Sequence, residues 1–208
     1  MNIEIIPVTA FQQNCSLIWD DDKNAAIIDP GGESEKLIQK IEELKLNLKV
    51  ILLTHAHLDH VGAAMLLKDY FNVEIWGAQE DDQFLFESLP EQAEHFGLAH
   101  TNAFLPDRWL HEGEIINIGD FQFNILHLPG HTPGHIGFIE QEKKVAFTGD
   151  VLFQGGIGRT DFPRGNYEQL ISSIREKLFK LNDDMIIIAG HGPYTTIGRE
   201  KVSNPFLT

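Results

Sequence analysis

Apolar and polar positions alternate with a strand period at the start of the chain, where Ile3, Ile5 and Pro7 interleave with Asn2, Glu4 and Ile6. A polar turn at Gln12-Gln13-Asn14 leads into Cys15-Ser16-Leu17-Ile18-Trp19. The run Asp20–Asn24 then reads as a hairpin turn into Ala25-Ala26-Ile27-Ile28. Asp29-Pro30-Gly31-Gly32 stops that strand. Ser34 is placed to cap a helix running to about Leu46, with Leu37, Ile38, Ile41 and Leu44 at helical spacing. Val50-Ile51-Leu52-Leu53 is a short, continuously apolar strand. A second helix is predicted over Val61–Tyr70 and a strand near Val73–Trp76.

Between Gln79 and Arg108 the periodicity weakens to helical pieces at Asp81–Leu85 and Glu91–Phe96 and a proline-marked loop, an excursion placed over the neighbouring histidines. Strands return at Ile116–Ile118, Phe121–His127, Gly134–Glu140 and Lys144–Thr148. A glycine-rich loop spans Gly155–Gly165, a helix is predicted over Asn166–Phe179, and Met185–Ala189 is the last clear strand. No linker, repeat or low-complexity segment interrupts the pattern, so residues 1–208 are expected to form one domain.

Composition narrows the function classes. A net charge of −15, from 31 acidic and 16 basic residues, argues against a nucleic-acid partner held by a general field. No apolar run is long enough to span a bilayer, and the opening Met1-Asn2-Ile3-Glu4 has no basic leader. The expectation is therefore a cytoplasmic protein with no membrane partner. The single cysteine, Cys15, cannot build a thiolate metal site and is expected in the core.

Chemistry concentrates where strands end. His55, His57, Asp59 and His60 follow the apolar strand within six residues, and burying several imidazoles with a carboxylate demands a compensating partner. Imidazole and carboxylate suit zinc, iron or manganese. His131, Asp150 and His191 each follow a glycine near a strand end, where the backbone can approach closely. Asp29, also at a strand end, is either a turn carboxylate or an orienting group behind a ligand. His95, His100 and His111 are expected at the surface or in local hydrogen bonds.

Thr54-His55-Ala56-His57-Leu58-Asp59-His60, with His131, Gly149-Asp150 and His191, resembles the signature of the metallo-β-lactamase superfamily over nearly the whole chain. The resemblance implies an α+β fold, an αββα four-layer sandwich of two mixed β-sheets flanked by helices. It implies a first metal on His55, His57 and His131, a second on Asp59, His60 and His191, and Asp150 bridging both. The implied cofactors are two divalent metal ions, zinc first, with iron or manganese as alternatives. Asp59 would also position the attacking water.

Thr148–Arg159 is similar to the corresponding glyoxalase II loop, in which a lysine at the position of Arg159 contacts glutathione. Arg159 is accordingly expected to bind substrate, with an ion pair to Asp161 as the alternative. Only Gly192–Thr208 follow His191, too few for a separate C-terminal glutathione-binding domain. The chain thus looks like the short bacterial YcbL-type, glyoxalase-II-like hydrolases. The expected substrate is a small acyl thioester, glutathione-linked in the glyoxalase II manner. The rivals are an iron-dependent persulfide dioxygenase using His55, His131 and Asp150, a lactonase, or a phosphodiesterase. A non-enzymatic binding module is disfavoured because every expected ligand is present.

Overall fold

The N-terminal strands pair in chain order, and the computed structural model describes all residues, 1–208. β1 (Asn2–Val8), β2 (Gln13–Trp19) and β3 (Asn24–Ile28) form an antiparallel meander. After α1 (Ser34–Glu43), β4 (Asn47–Leu53) pairs parallel to β3. Two helices follow, α2 (Leu58–Val61) and α3 (Ala64–Phe71), before β5 (Glu74–Gly77) adds parallel to β4. α4 (Gln83–Glu87) and α5 (Leu89–Phe96) complete the first half.

The second sheet begins with β6 (Ile115–Ile118), β7 (Phe121–His127), β8 (Ile136–Glu140) and β9 (Val145–Gly149), again antiparallel in succession. A small hairpin, β10 (Leu152–Phe153) and β11 (Gly156–Ile157), projects beyond β9 and leads to α6 (Tyr167–Ser172). β12 (Ile186–Ala189) pairs parallel to β9, β13 (Thr195–Thr196) pairs antiparallel to β12, and α7 (Ile197–Ser203) follows.

Three apolar clusters define four layers. Ile18, Ala26, Ile28, Val50 and Leu52 of the first sheet meet Ile116, Phe123, Phe138 and Phe147 of the second. The opposite face of the first sheet buries Leu17, Ile27 and Ile51 against Leu37 and Ile41 of α1 and Leu67 of α3. The outer face of the second sheet buries Ile139, Ala146 and Ile187 against Leu170 and Ile174, and against Ile197 of α7. The expected αββα sandwich of two mixed sheets is therefore what the chain forms. Cys15 lies wholly within the first-sheet core, as expected.

Several local expectations require correction. The alternation of β1 leaves its face unassigned; the buried residues are Ile6 and Val8, which this edge strand turns toward the helix layer, while Ile5 and Pro7 are exposed. Ser34 does not cap α1 but is its first helical residue. Glu33 occupies the cap in a left-handed conformation, its carboxylate accepting from Thr9 N–H and Lys36 Nζ. The helix predicted over Val61–Tyr70 is two pieces, α2 and α3. That over Asn166–Phe179 continues past α6 as a wider turn at Ser173–Lys177 and a tight one at Leu178–Lys180. β13 and α7 escaped the sequence pattern, the first because two residues carry no periodicity.

Close backbone contact positions the loop after β3. A Cβ on Gly31 would lie 1.5 Å from the Asp59 carbonyl oxygen, so only glycine lets this loop touch the α2 turn. Gly31→Ala should lower stability by about 1–3 kcal/mol through overpacking. Because the displaced carbonyl belongs to Asp59, metal affinity should fall with it. Urea unfolding with metal titration measures both effects, and an unchanged variant would refute the contact.

Candidate metal centre

The strand ends deliver the polar residues to one rim of the sandwich, outside the carboxyl ends of the parallel-paired strands. β3 ends at Asp29, β4 runs into His55, β9 into Asp150 and β12 into His191. His131 comes from the β7–β8 connection. Two residues apart on non-helical chain, His55 and His57 turn toward the same point. Leu58 and Val61, both buried, then anchor the α2 turn that presents Asp59 and His60.

His55, His57 and His131 form one trio, of three ring nitrogens, and Asp59, His60 and His191 form another, of a carboxylate oxygen and two ring nitrogens, the atoms of each lying within 4.8 Å of one another. His57 Nδ1 is 3.1 Å from His55 Nε2 and 3.0 Å from His131 Nε2. Three nitrogens each about 2.0–2.1 Å from a tetrahedral zinc would lie roughly 3.3 Å apart, so the first trio has the dimensions of a metal site. Asp150 stands between the trios. Its Oδ1 is 3.5 Å from His60 Nε2, and its Oδ2 is 3.6 Å from both His131 Nε2 and His191 Nε2. Asp59 Oδ2 lies 3.3 Å from His191 Nε2 and 3.9 Å from His60 Nε2. Gly190 makes room for this convergence, since a Cβ there would fall 2.2 Å from Asp150 Oδ1.

Four of the remaining ring nitrogens, those of His55, His60, His131 and His191, are held from behind. His60 Nδ1 donates to Asp29 Oδ2 at 3.0 Å, His131 Nδ1 to the Arg159 carbonyl at 2.7 Å, and His191 Nδ1 to the Phe11 carbonyl at 3.2 Å. The Thr54 hydroxyl donates to Asp29 Oδ2 at 2.6 Å and so accepts from His55 Nδ1 at 3.0 Å. Each contact places the proton on the outer nitrogen and turns the other lone pair inward, as metal-binding histidines require. Asp29 thus lies behind His60, against its outer ring nitrogen.

The donor set fits divalent cations on the structure's own terms. His60 Nε2 and Asp150 Oδ1 are buried without a hydrogen-bond partner, an arrangement that is costly unless a cation engages them. Burial holds His55 well below the ordinary imidazole value and His57 down to about 3, so both stay in the neutral, ligating form. Burial also opposes charge on His60 and His191, but there the carboxylates Asp150 and Asp59 outweigh it and raise both.

Two buried residues were not singled out by their sequence. Asp82 accepts from Ala56 N–H at 3.2 Å, the Thr132 hydroxyl at 2.8 Å and Gly134 N–H at 2.6 Å, tying the His55–His57 loop to the His131 loop. Burial pushes its carboxyl up to about 7 against these donors. In the sequence it ends an acidic run, Glu80-Asp81-Asp82, that reads as solvated surface. His135 stacks on His55 with ring centroids 4.7 Å apart, and its Nε2 accepts from Asp150 N–H at 3.1 Å. Its signal was the paired spacing in His131-Thr132-Pro133-Gly134-His135.

Arg159 lines the adjoining 390 Å³ pocket, as does Asp59, but its Nε and Nη2 donate to Asp161 at 2.9 and 2.7 Å. The alternative expected for Arg159, an ion pair within its own loop, is thus formed. The excursion after β5 does reach the site: Gln92 accepts from Leu58 N–H at 3.0 Å, and Phe96 and Leu98 line the pocket. His100 and His111 lie at the surface, as expected, with local hydrogen bonds to Asn102 and Glu114, and His111 also reaches Glu80 at 2.6 Å.

Two imidazole-rich trios sharing a carboxylate at the rim of an αββα sandwich define a metal-binding protein of the metallo-hydrolase type. The chain belongs to the metallo-beta-lactamase superfamily, whose sequence profile matches residues 8–191. It is 80% identical over 208 residues to a Haemophilus influenzae protein named hydroxyacylglutathione hydrolase GloC, covering 100% of this chain and 98% of that one. Among solved structures it is similar to the BLEG-1 B3 metallo-beta-lactamase, with TM-score 0.93 and 39% identity over 100% of both chains. It is also similar to TTHA1623 in a di-iron-bound form, with TM-score 0.90 and 38% identity over 98% of this chain and 100% of that one.

The histidines of the two trios shift oppositely, His55, His57 and His131 downward and His60 and His191 upward, and this orders their response to acid. A ligand whose proton affinity is raised surrenders metal at higher pH, so a cation on Asp59, His60 and His191 should leave before one on His55, His57 and His131. Metal content after equilibration at stepped pH should fall in two phases; a single phase would contradict the ordering. Asp82→Ala should strand three buried donors at about 1–3 kcal/mol each, with Asp82→Asn milder because it keeps an acceptor oxygen. Urea unfolding of both variants compares the two costs, and equal losses would show that the retained oxygen does not matter.

Proposed function

We propose that the chain is a metal-dependent thioester hydrolase that cleaves acyl thioesters such as S-lactoylglutathione. The observation that carries this reading is the pair of donor trios joined through Asp150 on the floor of an open pocket. The name of the 80% identical relative, a hydroxyacylglutathione hydrolase, supports the same substrate class. His55, His57 and His131 would hold one divalent cation and Asp59, His60 and His191 a second, with Asp150 shared. Nitrogen and oxygen donors suit zinc first and also iron or manganese, and one similar structure is described as di-iron-bound. A cation in such a site lowers the pKa of water and polarises a carbonyl oxygen.

The chain's residues supply the rest. Asp59 reaches the pocket and, as a carboxylate, can accept a hydrogen bond from the attacking water and orient its oxygen toward the carbonyl carbon. The new C–O bond forms as the water proton passes to Asp59 and the carbonyl π pair moves onto its own oxygen, giving a tetrahedral carbon. Collapse then breaks the C–S bond, and the electron pair leaves on sulfur. Returning the proton to bulk or to the thiolate gives a carboxylic acid and a free thiol, with no oxidant or reductant consumed. A thiolate leaves readily, which accounts for a pocket without an evident general acid. The second trio supports hydrolysis over a mononuclear iron oxygenase, which would use His55, His131 and Asp150 alone.

Metal-loaded protein should hydrolyse S-lactoylglutathione, and chelation should abolish the activity until metal is restored. His57→Ala should reduce kcat/KM on the order of 100-fold or more, since several kcal/mol of stabilisation depend on the cation. Thiol release measured alongside metal content checks both outcomes. Undiminished hydrolysis by stripped protein would overturn the reading.

A further inference from the structure

Four phenylalanines from four segments converge on the pocket: Phe11 from the β1–β2 turn, Phe96 from α5, Phe153 from β10 and Phe162 from the loop before α6. Leu98 and Ile157 fill the intervals. Phe11 and Phe96 meet edge to face with centroids 6.1 Å apart, yet remain 45% and 40% exposed. Deeper in, Phe162 packs edge-on against His57 at 4.8 Å and His131 at 5.7 Å, and Phe153 lies 6.4 Å from His191. Apolar side chains therefore line the pocket from its exposed edge to the rings of the donor trios. Such concave apolar walls recover the most free energy when a ligand covers them.

The charges point the same way. Arg159 is the only lysine or arginine lining the pocket. Its forked face is engaged by Asp161, and its guanidinium carbon sits 4.6 Å from the centre of the Phe162 ring. The other fixed charges in the pocket are the carboxylates Asp59 and Asp150. A carrier bearing two carboxylates, as glutathione does, therefore finds no uncommitted side-chain cation here. A lactoyl group would leave most of the aromatic wall uncovered.

Resting on the thioester-hydrolase reading above, we infer that this pocket selects substrates by an apolar acyl group of aromatic size and reads the thiol carrier weakly. The wall formed by Phe11, Phe96, Phe153 and Phe162 takes the acyl group, and the carrier extends toward solvent past the Arg159–Asp161 pair.

Metal-loaded full-length protein should be assayed with lactoyl and phenylacetyl thioesters of glutathione, and with the phenylacetyl thioester of N-acetylcysteamine. The phenylacetyl group should raise kcat/KM about 10-fold or more, the scale of added apolar contact in a fitted pocket. Exchanging glutathione for N-acetylcysteamine should cost less than about 3-fold, about 0.7 kcal/mol or less. Calorimetry gives a readout independent of turnover: S-benzylglutathione should bind about 10-fold tighter than S-methylglutathione. In the Phe11→Ala, Phe96→Ala double variant, which removes two exposed side chains, both ratios should fall toward one.

Equal or reversed acyl preference, or a carrier exchange costing about 100-fold, would overturn the inference while ongoing hydrolysis leaves the thioester reading standing. If no thioester is hydrolysed but the benzyl preference persists, the thioester reading falls and the apolar selection by the pocket is upheld.

Discussion

The Asp29 carboxylate is the contact on which the site's geometry hangs. Buried at the end of β3, in the left-handed region at φ 52°, it accepts from Thr54 N–H at 2.7 Å, from the Thr54 hydroxyl and from His60 Nδ1. Water cannot replace those donors at this depth, so the loops after β3 and β4 must stay in register for the carboxylate to be satisfied. Through Thr54 the same carboxylate orients His55, and directly it orients His60, which belongs to the other trio. One buried anion thus sets the tautomer and ring direction of a histidine in each trio.

The second sheet completes what Asp29 begins. Asp150 and His191 follow β9 and β12, which pair in parallel, so their carboxyl ends reach the same rim. His131 arrives from the β7–β8 connection, and Asp82 braces it against the His55–His57 loop. Because one trio takes His131 from the second sheet and the other takes His191, neither trio exists within a single sheet. Its dimensions depend on the core between the sheets, where Leu52 and Phe147 belong to one buried cluster. A change in that core far from the ligands would alter ligand spacing before it altered ligand identity.

Much of this was legible in the chain because strand ends with special residues leave local marks. An apolar run followed by His55-Ala56-His57-Leu58-Asp59-His60 states both the element and its cargo, and the layer architecture followed from a family resemblance carried by those residues. What was illegible depends on tertiary neighbours. Asp82 looks like any residue of an acidic run, and only folding reveals the three donors around it. Ser34 has the chemistry of a cap, but the loop enters α1 through Glu33 in a left-handed turn, two residues after Gly31 meets the Asp59 carbonyl. β13 and α7 fall beyond the last strong period, and the buried Glu200 of α7, bonded to Gly155 N–H and the Thr195 hydroxyl, shows why they matter. They hold the loop between β10 and β11, and so steady the pocket wall that includes Phe153 and Ile157.

Charge explains how an acidic protein can use such a centre. At a net charge of −15, the surface favours accumulation of cations and disfavours approach of anions. The inner site repeats that bias at short range, with Asp59 and Asp150 facing imidazoles of which His55 and His57 are held neutral by burial. A divalent cation would therefore be attracted to the rim and, once there, would reverse the local sign. That reversal is confined to the floor of the pocket, because the walls are phenylalanine and the one arginine already has its counter-ion. The pocket thus sets charge at its floor against apolar contact on its walls. The division of labour follows from where the chain places its charges.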